Sequence, residues 1–351
     1  MHTPKPTKEQ QLLFKLLKGA PPTSLEGIDT AKLFDLFRRH RLFPLAPELL
    51  PLLEEGERER WKKAIYTRTI RSMHHIAVLS QLTKALEKAG IEAIPIKGPV
   101  LSQHLYGNIG ARHFSDLDVL VRGVESQQVI KIVEKLGFSL KFPRPGISAR
   151  QWKYYTRHKK HFGLYNGEQG VMLELHTSIE NHVVLKPDDV SLFLKETEMV
   201  EVGGTSFRCM NKAYTFLYLT LHGGVHQYRR LFWLRDVAEA LEQWEIDHRN
   251  VLAISQKMRI EHILGVSLLL SKAFFNTEIP PAYSDYLERN RKLLQKLTHS
   301  SVRMITGPEF PDMKGKIGRH IFMLRLKSSL RHKYRVISEI AHRLTIGKLM
   351  E

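Results

Sequence analysis

The hydrophobic pattern changes its period twice along this chain, and this change most constrains the fold. From about residue 58 to residue 89, apolar residues recur at helical spacing, and Gly90 follows the segment. Between residues 91 and 176, short apolar or alternating runs typical of strands are interleaved with helical segments. Beyond residue 185 the pattern is again mostly helical. The sequence therefore predicts an α+β fold, a small mixed sheet between helical N-terminal and C-terminal regions.

The same pattern divides the chain into three parts, at residues 1–90, 91–210 and 211–351. In the middle part, Asn166-Gly167 lies between two strand-like runs and indicates a hairpin. Near the C-terminus, glycines predict a loop over residues 307–318 and a basic helix over about 319–344. The strands predicted for the middle part are Ile91–Ile96, Phe114–Val121, Phe138–Phe142, His161–Tyr165, Val171–His176, Met199–Val202 and Ser206–Met210.

Composition excludes several classes of protein. With 351 residues and 42% hydrophobic side chains, the chain can bury a sizeable core, and wholesale disorder is excluded. Cys209 is the only cysteine, which excludes a disulfide framework and a zinc site built from cysteines. The first ten residues lack the apolar core of a signal peptide, and residues 42–53 are too short to span a membrane. We therefore expect a cytoplasmic protein without a transmembrane segment.

The positive charge is concentrated in two segments. The chain has a net charge of +18, and residues 141–161 contain seven basic side chains and no acidic one. Residues 313–351 add ten basic side chains against two acidic ones. The excess predicts an anionic partner, and the two segments are candidate basic surfaces. The first interleaves cations with aromatic rings, as suits stacked bases, although a disordered loop is equally compatible. The helix in the second can pack on the body, bind RNA or rest on an anionic membrane, and packing is the commonest outcome.

Three carboxylates fall where strands are predicted. Asp116 and Asp118 are two residues apart on one strand and project from the same face. Adjacent carboxylates repel each other unless a cation lies between them, and oxygen ligands suit Mg²⁺. Glu174 lies on a second apolar strand. Three carboxylates on two neighbouring strands can hold two Mg²⁺ ions about 4 Å apart, an arrangement used for phosphoryl displacement.

The segment just upstream suits phosphate binding. Gly98 begins a predicted helix, whose N-terminus offers free N–H groups and a positive dipole end to an anion. Lys97 and Arg112 bracket the same region and are candidates to bind β and γ phosphates.

These residues together resemble a known family. Lys97-Gly98, Arg112, the run from Ser115 to Val121, and Glu174-Leu175-His176 look like the minimal nucleotidyltransferases of the DNA-polymerase-β-like superfamily. The resemblance covers roughly residues 58–245 and is closest to a bacterial branch known only as nucleotidyltransferase family proteins. It implies that Asp116, Asp118 and Glu174 hold two Mg²⁺ ions and catalyse nucleotidyl transfer from a nucleoside triphosphate to an acceptor hydroxyl, with release of pyrophosphate. It also implies a nucleotide site at Lys97, Gly98, Arg112 and Ser115.

Other residues and other functions stay open at this stage. His176, His222 and Asp236 are candidates for a cleft formed with the second domain. His222 and His226 have the i, i+4 spacing of zinc ligands but no evident third ligand. A place in the cleft, packed against a base or ribose, is favoured over metal binding, and a plain structural role fits at least as well. One alternative function is a non-catalytic RNA-binding module with a nucleotidyltransferase fold, and another is a toxin-like nucleotidyltransferase acting on RNA. The acceptor (a small molecule, a protein or peptide, or RNA), the base of the nucleotide and the oligomeric state are not encoded in a readable way.

Overall fold

The computed structural model of this chain divides into two compact units. It describes residues 5–121, 126–180, 184–185, 191–194, 196–309, 313–327 and 330–345. The first unit, here called the helical unit, comprises residues 1–68 and 216–328. The second, here called the sheet unit, comprises residues 69–215 and 329–351. Both main boundaries fall inside helices. The division into residues 1–90, 91–210 and 211–351 that the sequence predicts stays a prediction.

The sheet unit alternates strands and helices, as the change in hydrophobic period predicts. Its elements are the C-terminal part of α3 (Glu55–Lys88), β1 (Ala93–Pro95), α4 (Gly98–Tyr106), β2 (Asp116–Val121), α5 (Ser126–Glu134), β3 (Phe138–Phe142), α6 (Ala149–His158), β4 (His161–Asn166), β5 (Val171–His176), β6 (Thr197–Val202), β7 (Thr205–Met210) and the first residues of α7 (Lys212–Val225).

Five of these strands form one mixed sheet, in the order β1-β2-β5-β4-β3. Only β2 and β5 pair in parallel, while the other neighbours are antiparallel. A parallel pair needs a long crossover, and here the chain between β2 and β5 contains α5, β3, α6 and β4. β6 and β7 form a separate hairpin. The mixed sheet confirms the predicted α+β class.

The core of the sheet unit explains why β2 and β5 are fixed in place. Leu117 and Val119 of β2, and Leu173 and Leu175 of β5, are almost wholly buried within one apolar cluster. Since side chains alternate along a strand, the residues between them, including Asp118 and Glu174, point to the opposite face of the sheet. Packing of the apolar face thus sets the register of β2 and β5, and this register places Asp118 and Glu174 on the opposite face.

The basic segment 141–161 is ordered in this fold, since its central part forms α6. Ser148 caps this helix, with its side chain accepting a hydrogen bond from the backbone N–H of Gln151. Two nearby aromatic residues, Tyr155 and Phe162, are buried in the core, and Trp152 stacks on Phe162 at 5.2 Å between ring centroids. These buried rings are therefore structural and are not available to stack on bases.

The helical unit contains only helices among its described residues. Its elements are α1 (Lys8–Leu17), α2 (Thr30–His40), a 3-10 segment (Phe43–Leu52), the N-terminal part of α3, most of α7, α8 (Leu231–Gln243), α9 (His248–Met258), α10 (Glu261–Phe275), a 3-10 turn (Pro281–Tyr283), α11 (Ser284–Arg289), α12 (Arg291–Thr306) and α13 (Met313–Arg325). Trp61 is wholly buried among the rings of Phe34, Phe37 and Phe43. The Arg39 guanidinium donates to the carbonyl oxygens of Met304 and Ile305, both at 3.0 Å. It thereby supplies hydrogen-bond donors to carbonyl groups in the last turn of α12, which lack partners within the helix.

The C-terminal prediction is partly wrong. The loop predicted over residues 307–318 ends early, because α13 begins at Met313 and includes two glycines, and α13 itself ends at Arg325. A glycine inside a helix costs only about 1 kcal/mol relative to alanine, which neighbouring residues can outweigh. The following helix, α14 (Leu330–Thr345), belongs to the sheet unit and leaves Leu330 and Tyr334 largely exposed. Within the described part of the chain, no helix is long and apolar enough to cross a membrane.

Candidate active site

Asp118 and Glu174 are brought side by side by the parallel pairing of β2 and β5. The two residues are direct partners in the register, one position from the pair Leu117 and Leu173. Asp118 is buried, with 3% of its side chain exposed, whereas 28% of the Glu174 side chain remains exposed. The sequence predicts this meeting of carboxylates. The register shows that the third predicted carboxylate, Asp116, is paired with Met172, two positions earlier.

Lys97 neutralises the buried Asp118 carboxylate. The backbone N–H of Ile96 donates to the carbonyl oxygen of Asp118 at 3.0 Å, which aligns the end of β1 with this residue. Lys97 follows and places its Nζ 2.6 Å from Asp118 Oδ1. Gly98, the first residue of α4, has φ +69°, a left-handed value that an L side chain rarely adopts. Glycine is therefore required where the chain turns from Lys97 into the helix.

His176 connects the two carboxylates. It is fully buried, and its Nε2 lies 3.1 Å from Asp118 Oδ1 and 3.2 Å from Glu174 Oε2. Burial lowers the pKa of His176, but the hydrogen bonds to Asp118 and Glu174 outweigh it, so that the pKa lies above its ordinary value. The single N–H at Nε2 is shared between the two carboxylates, and the N–H that the imidazolium carries at Nδ1 faces the carbonyl oxygen of Ser178 at 3.4 Å.

Both carboxylates are held in the ionised form. Burial raises the pKa of Asp118, but the Lys97 ammonium and His176 outweigh it and hold the pKa far below its usual range. Burial likewise raises the pKa of Glu174, and the hydrogen bond from His176 brings it below the usual value. Lys97 and His176 thus keep two negative charges in a site that is mostly withdrawn from water.

His161 also belongs to this cluster, and the sequence does not single it out. It lies opposite His176 in the pairing of β4 with β5, with the two rings 5.1 Å apart. Its Nε2 is 3.8 Å from Glu174 Oε1. Burial lowers the pKa of His161 to about 4, so the ring is neutral at pH 7. The predicted hairpin could have identified His161, because pairing of its two strands up to their outer ends brings His161 opposite His176.

The donor set of the cluster fits a divalent cation. Asp118 and Glu174 offer ionised carboxylate oxygens, which are the ligands that Mg²⁺ prefers. In the described part of the chain, His161, Glu174 and His176 also bring one ligand atom each within 4.8 Å of one another. That set of two imidazoles and one carboxylate would suit a transition metal better than Mg²⁺. Whether Asp116, Asp118 and Glu174 hold two ions stays a prediction.

The remaining nucleotide-binding candidates lie close to this cluster in the chain. Ser115, at the end of the loop that leads into β2, and Asp116, the first residue of β2, are half-buried. Arg112 lies in the same loop and is buried, with 5% exposure. Their contacts with a nucleotide stay predictions.

The three residues that the sequence assigns to a second-domain cleft fall in different units. His176 lies in the sheet unit, whereas His222 on α7 and Asp236 on α8 lie in the helical unit and are buried. The ring of His222 is 4.9 Å from that of His226, which in turn stacks on Trp233 at 5.0 Å. His222 thus belongs to a packed cluster of rings, while its part in a cleft stays a prediction.

Comparison with known proteins identifies the family. A family model described as an uncharacterised nucleotidyltransferase matches residues 26–276, and the chain belongs to that family. A search of curated proteins finds no match. Among solved structures, the chain is similar to an antigenic nucleotidyltransferase-like protein from Paracoccidioides brasiliensis, with 12% identity and a TM-score of 0.34. That similarity covers 60% of this chain and 95% of the other, and at this TM-score it supports no argument about function.

Proposed function

We propose that this protein is a Mg²⁺-dependent nucleotidyltransferase, which transfers a nucleoside monophosphate from a nucleoside triphosphate to an acceptor hydroxyl. The observation that carries the proposal is the pair of ionised carboxylates, Asp118 and Glu174, in register on adjacent parallel strands. Membership of a nucleotidyltransferase family supports the same reaction class. When bound by Asp116, Asp118 and Glu174, Mg²⁺ would neutralise phosphate charge and lower the pKa of the acceptor hydroxyl.

The phosphates would bind at the start of α4. The N-terminus of this helix offers backbone N–H groups and a positive dipole end. The Lys97 ammonium precedes it directly and brings a positive charge to the same region. Arg112 would add a second cation in the same region. The triphosphate is thereby positioned and its charge balanced before reaction.

Glu174 would act on the acceptor. It is the more exposed of the two central carboxylates, and His176 holds it in place. In the reaction the acceptor oxygen forms a bond to the α-phosphorus, and the bond from that phosphorus to the bridging oxygen breaks. Pyrophosphate leaves with the bonding electrons. Glu174 accepts the hydroxyl proton, either directly or through water.

A label-transfer experiment tests this function. The protein is incubated with Mg²⁺ and each α-labelled nucleoside triphosphate, together with total RNA, protein or small-molecule fractions. We expect label to enter one acceptor class with release of pyrophosphate. Asp118→Asn and Glu174→Gln should each lower the rate by at least about a hundredfold, as removal of a metal ligand or a general base does.

The matched control is Glu168→Gln. Glu168 is an exposed carboxylate in the turn between β4 and β5, and its loss should leave the rate unchanged. If RNA binds with equal affinity to wild type and Asp118→Asn, and no fraction accepts label, the alternative hypothesis of a non-catalytic RNA-binding module is favoured.

A further inference from the structure

A second group of metal-ligating side chains lies in the sheet unit and shares no residue with the candidate active site. Glu198 of β6 and Cys209 of β7 are direct cross-strand partners. His104 is in the last turn of α4, which contacts β6. One ligand atom from each of the three residues lies within 4.8 Å of the others. We propose that His104, Glu198 and Cys209 form a Zn²⁺ site.

The contact between His104 and Glu198 is the main argument. Their Nε2 and Oε1 atoms approach to 3.2 Å, yet Glu198 Oε1 is buried and, among the described residues, accepts no hydrogen bond. The short approach therefore does not have hydrogen-bond geometry. A buried acceptor left unsatisfied is energetically unfavourable. A cation between the two atoms removes this cost.

The sulfur ligand would bind as a thiolate. The Sγ atom of Cys209 lies 3.6 Å from the carbonyl oxygen of Glu198, its cross-strand partner. Binding of Zn²⁺ to this sulfur would release the thiol proton to solvent as the thiolate forms.

The ligand types favour zinc over magnesium. Imidazole, thiolate and carboxylate are all zinc ligands, whereas Mg²⁺ prefers oxygen alone. Three protein ligands leave a fourth position for water. The Glu198 side chain, with 35% exposure, gives a path to solvent, while Cys209 is buried and His104 keeps 9% of its side chain exposed. The site would fasten the end of α4 to the hairpin β6–β7, and its existence does not depend on the nucleotidyltransferase proposal.

Cobalt substitution tests the site, because a Co²⁺ ion bound by a thiolate gives a near-ultraviolet charge-transfer band. Cys209 is the only cysteine in the chain, so it alone can produce this band. We expect the chelator-treated wild type to show the band on addition of one equivalent of Co²⁺, and to lose it on addition of Zn²⁺. Cys209→Ser should abolish the band. A folded wild type without a band at saturating Co²⁺ overturns the proposal.

Three further variants assign the ligands. His104→Ala and Glu198→Gln should each weaken zinc affinity at least tenfold, since even the loss of an outer partner costs about 10- to 100-fold. Glu201→Gln removes an exposed carboxylate from the same strand and should leave affinity unchanged. Glu174→Gln should leave the thiolate band intact, which separates this site from the candidate active site. Wild-type affinity in both His104→Ala and Glu198→Gln would contradict the assignment, independently of whether Cys209→Ser folds.

Discussion

The ion pair between Lys97 and Asp118 is buried on both sides, with 11% and 3% of the side chains exposed. Removal of one partner from a buried pair leaves an uncompensated charge and costs about 3–5 kcal/mol. Lys97→Met should therefore lower the free energy of unfolding by about 3–5 kcal/mol at pH 7, as measured by urea denaturation. The double variant Lys97→Met/Asp118→Asn should recover much of this loss, because neither charge is then left alone.

The control for this prediction is the pair formed by Lys62 and Glu59. Its N–O distance is 2.7 Å, close to that of the buried pair, but 41% and 65% of the side chains are exposed. Lys62→Met should cost less than about 1 kcal/mol, because water screens an exposed pair. Equal losses in Lys97→Met and Lys62→Met would contradict the account of a buried, charge-balanced site.

His40 gives a prediction about pH. Burial, followed by Arg39 and Arg230, lowers the pKa of its ring to about 3 from an ordinary 6.5, and its Nδ1 accepts a hydrogen bond from the backbone N–H of Leu231. Because the folded pKa is the lower one, the unfolded chain binds the proton first. The stability that the neutral His40 ring contributes is complete above pH 6.5. It is lost as the pH falls toward 3, by up to about 1.4 kcal/mol per pH unit.

The variant His40→Asn isolates this effect, since the asparagine oxygen can accept the same hydrogen bond without titrating. Urea unfolding between pH 7 and pH 4.5 should show a shallower loss of stability for the variant than for wild type. Parallel curves for the two proteins would show that His40 does not titrate as described.

Several residues of the candidate site could be predicted from the sequence because local rules place them. Alternation along two apolar strands puts Asp118 and Glu174 on one face, and the glycine after Lys97 marks the turn into a helix. His161 was missed because it matters only through its partner across β4 and β5. The sequence uses Cys209 only to exclude classes of protein, because Glu198 meets it through the pairing of β6 with β7 and His104 comes from a distant part of the sequence.

At the scale of elements, α7 depends on the absence of side chains at Gly223 and Gly224. A Cβ atom at Gly223 would overlap the buried ring of Tyr228, and one at Gly224 would overlap Ile263. Gly223→Ala should therefore destabilise the protein by about 1–3 kcal/mol, as overpacking does. Thermal unfolding followed by circular dichroism measures the effect.

Gly318→Ala is the matched control. Gly318 lies inside α13, and among the described residues no atom beyond its chain neighbours and the adjacent helix backbone lies within 4 Å of a Cβ built there. Alanine at this position should be neutral or stabilise the protein by up to about 1 kcal/mol, because it favours the helix. If Gly223→Ala were as stable as Gly318→Ala, the packing described for α7 would be wrong.

The strands were predicted well because their signals are local. The predicted strand Val171–His176 agrees with β5 at both ends. β3 and β4 were each predicted from an apolar run with turn residues beside it. The failure at residues 313–318 has the opposite cause, since glycine is a weak signal when neighbouring residues favour a helix. Elements that depend on tertiary packing are thus the ones that sequence patterns place least well.

At the scale of the whole molecule, the net charge of +18 predicts an anionic partner, although the candidate site itself contains carboxylates. The two features are compatible if the anion is a nucleoside triphosphate bound to Mg²⁺. The cluster of Asp118, Glu174, Lys97 and His176 is close to neutral by itself. A complex of Mg²⁺ with a nucleoside triphosphate is anionic, so the basic residues around the cluster would favour its approach. The basic segment 141–161 belongs to the same unit and is partly built into the core through Tyr155, which is buried there, and Trp152, which packs against it.

The central claim is that Asp118 and Glu174 form a binding site for a metal ion and a nucleotide. Isothermal titration of the protein with a nucleoside triphosphate, in the presence and absence of Mg²⁺, tests it most directly. We predict Mg²⁺-dependent binding that Glu174→Gln weakens at least tenfold, whereas Glu168→Gln binds as wild type does. A folded wild type that binds no nucleoside triphosphate in the presence of Mg²⁺, or equal affinities for wild type and Glu174→Gln, would contradict the claim.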